Sequence, residues 1–278
     1  MLLRWGTNLF LLLGNRPQKQ SPMKITFYVL VIYFITSAGY GQTIINAERL
    51  IEVSDSTIYA LTLSYNGTRG NSNTNQWDIA PAIILLRKKN EFKFFGGYGF
   101  LSDSEKEILD GGFVHLRHNY KLSNRLKTFE FYQLQFNKVL LLNRRQLYGA
   151  GLRYGVVAHD SLSLDMELGL MRETETLNAA KLLPGEPDHI KDIRITYVNS
   201  LRWKLNKLVK INNVIYYQPS VKRLNDYRIL NDFNLIVSLT DHLELITALS
   251  TRYDSKPPGT LKYLDNSLTL GLNLKFKE

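Results

Sequence analysis

The chain has 278 residues, no cysteine and a formal charge of +10. Without thiols there is neither a disulfide framework nor a thiolate metal site. The basic excess is not a nucleic-acid footprint: Lys and Arg are scattered rather than gathered into a stripe that tracks phosphates, and RNP-type aromatic motifs and zinc-finger spacings are missing.

In chain order, residues 23–42 read "MKITFYVLVIYFITSAGYGQ". A basic start at Lys24, an apolar run from Ile25 to Ala38 and small residues at Gly39 and Gly41 make the pattern of a secretory signal cleaved before Gln42. A membrane anchor is the alternative, but a spanning helix needs about twenty apolar residues and this run is shorter. The first forty-one residues carry Arg4, Arg16, Lys19 and Lys24 and no acid. The expected organisation is therefore an upstream extension plus signal over 1–41, with Met23 as the natural start. A short periplasmic segment over 42–55 and a barrel over 56–278 follow.

Beyond Gln42 the recurring signal has period two, as in strands with two unlike faces. Tyr59, Leu61, Leu63 and Tyr65 share one face, followed by Trp77, Ile79, Ile83 and Leu85, and then by Phe92, Phe94, Tyr98 and Phe100. Val114, Leu116 and Tyr120 mark a fourth strand, and Leu126 to Phe136 a fifth. The sixth alternates Tyr148, Ala150, Leu152, Tyr154 and Val156 with glycines and Arg153; the seventh, "LSLDMELGLM", sets Leu162, Leu164, Met166, Leu168 and Leu170 against Asp165 and Glu167. Ile193 to Trp203, Val209 to Tyr217, Ile229 to Val237, Leu243 to Leu249 and Leu268 to Phe276 complete twelve, an even number as single-chain bacterial barrels have.

The connections alternate in length. "RKKN", "LSNR", "HDS", "LNKL" and "TDH" are tight; "TRGNSN", "SDSEKEILD", "LLLNRR", "ETETLNAAKLLPGEPDHIKD", "QPSVKRLND" and "YDSKPPGTLK" are read as longer loops. Short turns on one rim and long loops on the other are the habit of outer-membrane barrels, and both termini then lie on the short-turn side. In lipid every backbone polar group needs an internal partner, so strands that span must close into a ring. Tyr, Trp or Phe at the ends of many apolar faces fit interfacial girdles. A soluble β-sandwich with its leucines between two sheets is the competing fold. Two residues disturb the pattern: Pro81 predicts a bulge or an early strand end, and Glu130 on an apolar face predicts a bulge that reverses the parity of strand five.

"YNGTRGNSNT" (Tyr65–Thr74), "FEFYQLQFN" (Phe129–Asn137) and "RQLYGAGLRYG" (Arg145–Gly155) resemble the domain-of-unknown-function family 481, over about residues 50 to 278. That family takes in salt-induced outer-membrane proteins of Gram-negative bacteria. The resemblance implies an outer-membrane β-barrel without an established activity, brings no catalytic residues to carry over, and by its name hints at a response to salt.

Catalytic patterns are weak. His159, Asp160 and Ser161 are triad types, but three consecutive turn residues cannot form a relay. His115 and His118 point to opposite sides of a strand and cannot share a metal. An outer-membrane phospholipase would need a lipid-facing Ser–His–Asn set, and His118 with Asn119 lacks a convincing serine. The glycines at Gly96, Gly97, Gly99, Gly149, Gly151 and Gly155 lack the strand-to-helix context of a phosphate loop. Asp103, Glu105, Glu107 and Asp110 form an acidic loop without EF-hand spacing. No cofactor is expected.

The inward faces are the informative feature. By parity they carry Asp78, Arg117, Arg153, Asp165, Glu167, Arg194, Arg202, Asp232, Glu244 and Arg252, both signs mixed, and hairpin symmetry about Asp160 sets Arg153 opposite Glu167. A selective pore favours rings of one sign, so a mixed lumen predicts a narrow or plugged passage. The expected partners are outer-membrane lipid, lipopolysaccharide (through Arg144, Arg145, Lys222 and Arg223) and the outer-membrane assembly machinery. The expected roles are envelope integrity or weak solute passage, then ligand binding by the 173–192 loop, then lipid hydrolysis.

Overall fold

The computed structural model describes residues 57–68, 74–103 and 106–277; the expected signal and periplasmic segment lie outside them. Twelve antiparallel strands follow one another: β1 (Thr57–Thr68), β2 (Thr74–Arg87), β3 (Asn90–Asp103), β4 (Lys106–Lys121), β5 (Leu126–Asn137), β6 (Leu142–Ala158), β7 (Leu162–Leu177), β8 (His189–Lys204), β9 (Val209–Pro219), β10 (Tyr227–Ser238), β11 (Leu243–Asp254) and β12 (Leu264–Lys277). Each pairs with its sequence neighbours, and β1 pairs with β12 to close the ring. Closure rules out the two-sheet sandwich, because no strand is left with a free edge.

The alternation read from the sequence becomes the wall. Leu168 and Leu170 are 61% and 56% exposed on the outside of β7, while Glu167 between them is 2% exposed within. Tyr65, Trp77, Tyr148, Tyr154, Trp203 and Phe276 are exposed toward the ends of the outer rows, where amphipathic rings meet the membrane–water boundary. Strands of eleven to seventeen residues meet or exceed the roughly nine to eleven needed to cross lipid, so most continue into the rims.

That extension corrects the loop lengths. The β3–β4 connection holds only residues 104–105, β5–β6 holds 138–141 and β7–β8 holds 178–188. Charged residues read as loop are therefore strand: a polar sequence continues a barrel strand where one of its faces looks into a polar lumen. On the long-connection rim, three connections are tied together. Asn178 N–H donates to the Leu141 carbonyl at 2.8 Å, and Gly259 N–H donates to Glu186 Oε2 at 2.8 Å. Gly259 has φ +60, and a Cβ there would lie 2.6 Å from the Lys181 carbonyl oxygen, so glycine is required.

Both irregularities resolve differently from expectation. β2 runs straight through Pro81 without a bulge. Its ladder with β1 is unbroken, and its ladder with β3 omits the rungs between Ile79–Tyr98 and Ala82–Phe95 without changing register. The missing proline N–H thus opens one stretch of one ladder, and Gly96 across the gap leaves room for the ring, whose Cγ stands 3.4 Å from a notional Cβ. In β5 the register is regular from Leu126 to Gln135, so Glu130 keeps its outward parity.

Candidate functional site in the barrel lumen

The inward rows gather charge in two tiers. Toward the tight-turn rim, Glu167 accepts hydrogen bonds from Arg117 Nη2 at 2.8 Å and Arg153 Nη1 at 3.1 Å. Asp165 Oδ2 accepts from Arg153 Nη2 at 2.9 Å and Arg202 Nη2 at 2.7 Å. Arg117 Nε donates to Asn119, whose amide donates to Glu91 at 3.0 Å; Glu91 also meets Lys93 and Lys127. On the far wall Glu244 faces Lys210 and Lys275, each at 3.4 Å, and accepts from Asn273 Nδ2 at 2.9 Å. Arg153 and Glu167 are direct partners in the β6–β7 ladder. A register shift between Gly155 and Val157 offsets the turn, so the symmetry about Asp160 holds only beyond that bulge.

The second tier lies toward the long-connection rim and centres on Glu173, whose side chain has no exposed surface. Glu173 receives Arg145, Arg194 at 2.7 Å and Arg228. Glu175 meets Arg145 and Arg228, each at 3.2 Å. Arg228 Nε also donates to Asp254 at 2.9 Å, and Arg194 Nη2 donates to Asp226 at 2.9 Å. Arg252 stands beside this tier, opposite Asp265 in the β11–β12 ladder, and makes no ion pair among the described residues. Two residues of the inward set lie apart from both tiers: Asp232 is buried and accepts from Ser250 Oγ, and Asp78 accepts from Ser64 Oγ and Gln76 Nε2, each at 3.2 Å.

Sequence reasoning missed Glu173, Glu175, Arg145 and Arg228, which hold the second tier together. Glu173 and Glu175 continue the odd-numbered inward row of Asp165 and Glu167, so unbroken parity was the signal that pointed to them. Arg145 is buried in the wall rather than offered to lipopolysaccharide; Arg144 and Lys222 are exposed, and Arg223 pairs with Asp226 at 3.0 Å. The side chains of Asp103, Glu105, Glu107 and Asp110 lie outside the described residues.

Between the tiers, Phe129, Leu147, Val198 and Leu230 narrow the bore around a chamber of ≈ 60 Å³. Beside the first tier, Ile58, Ala60, Ala82, Ile84 and Phe95 pack as an apolar cluster on the β1–β3 wall. Guanidinium forks satisfy several carboxylate lone pairs at once, which is how paired charges survive away from water. Both signs are present in each tier, cations outnumbering carboxylates in the first, so neither tier forms a single-sign ring.

Residues 61–276 match the family described as "Protein of unknown function, DUF481". This chain belongs to the DUF481 family. No curated protein matches it. Among solved structures, an outer membrane channel from Pseudomonas putida F1 superposes on the DUF481 chain with a TM-score of 0.51 at 9% identity, covering 85% of this chain and 100% of that one. The NanC porin gives a TM-score of 0.49 at 10% identity over 79% of this chain and 100% of its own. The translocator domain of the autotransporter NalP from Neisseria meningitidis gives 0.47 at 11% identity over 91% and 94%. At such identities the likeness to the Pseudomonas channel is one of fold: the DUF481 chain has the architecture of an outer-membrane β-barrel.

On the outside of the DUF481 barrel, His118 is the histidine singled out for lipid chemistry. Its Nδ1 faces Glu130 Oε1 at 3.0 Å, its Nε2 faces Asn90 Oδ1 at 2.9 Å, and its ring stacks on Phe92 at 4.6 Å. Asn119 points the other way, into the first tier. Both imidazole nitrogens are held, one by an acid and one by an amide, and among the described residues no serine hydroxyl takes part.

Proposed function

We propose that this DUF481 barrel serves the integrity of the outer envelope as a narrow barrel crossed by ion pairs that admits small solutes weakly at most. The observation that carries this reading is Glu173, shared by Arg145, Arg194 and Arg228 inside the bore toward its long-connection rim. An open channel selective for one sign of ion needs unpaired charges of that sign along its path; here both signs are mixed and the carboxylates of each tier are ion-paired. The tied connections on one rim add a second obstruction. In this reading the chain is exported through the periplasm and inserted by the assembly machinery. It holds lipid on its outer rows, meets lipopolysaccharide at exposed cations such as Arg144 and Lys222, and performs no catalysis.

The test is planar-bilayer recording with the purified barrel. The expected result is unitary conductance far below that of an open porin, with little preference for cation or anion. Glu173→Gln is expected to raise the conductance, because three guanidinium groups lose their common anchor. Large and strongly charge-selective currents from the unaltered protein would overturn the proposal.

A further inference from the structure

We propose that the lumen contains a binding site for a small primary ammonium ion, with Asp78 as its anionic anchor. The carboxylates of both tiers face cations, whereas Asp78 is flanked by a hydroxyl and an amide and has no cationic partner among the described residues. Its carboxylate borders a cavity of ≈ 60 Å³. The adjoining strands are cut back: Gly97, Gly99, Gly111 and Gly271 present no side chain to the space, Gly99 being the ladder partner of Asp78 and Gly271 that of Ser64. A charged group here has been given room rather than a partner.

The dimensions and lining set the ligand class. At roughly 10–15 Å³ per water-sized group, the cavity admits about four to six such groups. Ser64 and Thr62 supply hydroxyls beside the carboxylate, and Ile246, Ala248 and Phe113 supply an apolar flank. An ammonium head on Asp78 with a short alkyl chain against that flank uses both kinds of surface. A divalent metal needs several oxygen ligands and more than one acid as a rule, and no second acid lines the cavity. Anions meet the unpaired carboxylate and are repelled. Ser64 and Asp78 are opposed rungs of the β1–β2 hairpin near its long-connection end, so the ligand arrives from that rim. The site functions whether or not the bore conducts.

Titration calorimetry of the folded full-length barrel with ethylammonium, and in parallel with propanol and acetate, tests this. Saturable binding of ethylammonium, with none of propanol or acetate, is the expected result. Asp78→Asn is expected to weaken binding at least about tenfold while heat-modifiable migration stays unchanged. Ala248→Leu, which fills the cavity and leaves the charge, is expected to weaken it too. Absence of saturable binding to the unaltered barrel, or equal binding by Asp78→Asn, would overturn the inference; neither result bears on whether the lumen is closed.

Discussion

Glu130 and Glu167 are both carboxylates on barrel strands, yet they occupy opposite environments. Glu167 takes two guanidinium groups and is almost completely buried, while Glu130 stands outside with His118 as its partner. Parity placed Glu167 within, because the pattern of one strand suffices to separate its faces. Glu130 was misjudged for a physical reason: its partner lies on the neighbouring strand, and an outward acid looks intolerable until a cross-strand histidine is seen beside it. Cost on the lipid face falls from about 2–4 kcal/mol at the midplane to 0–1 kcal/mol near the interfaces for basic residues, and less for acids, so no bulge was needed. Buried pairs behave otherwise. Removing one partner strands a charge at about 3–5 kcal/mol, whereas replacing both with apolar groups is often neutral. Arg153→Met and Glu167→Met are each expected to destabilise by that amount, and the double variant by far less than their sum. Urea unfolding in lipid vesicles measures all three; additive losses would show that the pair is uncoupled.

Most strand identities were legible because alternation is direct evidence of two unlike surroundings. Strand ends were less so, because a polar lumen and a polar loop select the same residues. Glu173 and Glu175 looked like loop on composition, and only the unbroken parity of β7 distinguishes the two cases. The glycines of β6 and β7 show another limit. Gly151 and Gly169 face each other in the ladder, and the Phe129 ring lies over both; a Cβ at Gly151 would collide with the Leu168 carbonyl and stand 2.8 Å from that ring. Aromatic cover over opposed glycines pins strand register. Gly151→Val is therefore expected to impair folding severely, seen as loss of the heat-modifiable form in detergent. Gly155→Ala, where the nearest atom is 3.5 Å from the added methyl, is expected to fold normally.

For the whole molecule, the twelve-strand closed ring was readable because hydrogen-bond satisfaction in lipid leaves few alternatives where the sequence after Gln42 reads as strands and not as a spanning helix. The crossing of connections over one rim was not, because loop contacts such as Glu186 with Gly259 join positions 73 residues apart and leave no periodic trace. Glu186→Ala is expected to loosen that rim. Limited proteolysis of the folded barrel would then cut within residues 178–188 several times faster than in the unaltered protein, with the wall intact. Equal rates would mean that the Asn178–Leu141 contact is enough by itself.

Among the described residues, the ladder between the first strand and the last runs from Ile58–Lys277 to Ser64–Gly271, the shortest of the twelve. A zip is weakest where it has fewest teeth. Pulled by its ends, this cylinder would part there first and peel sideways into a curved sheet. The same junction, completed only when the final strand arrives, is the last step that turns an open ribbon into a sealed tube.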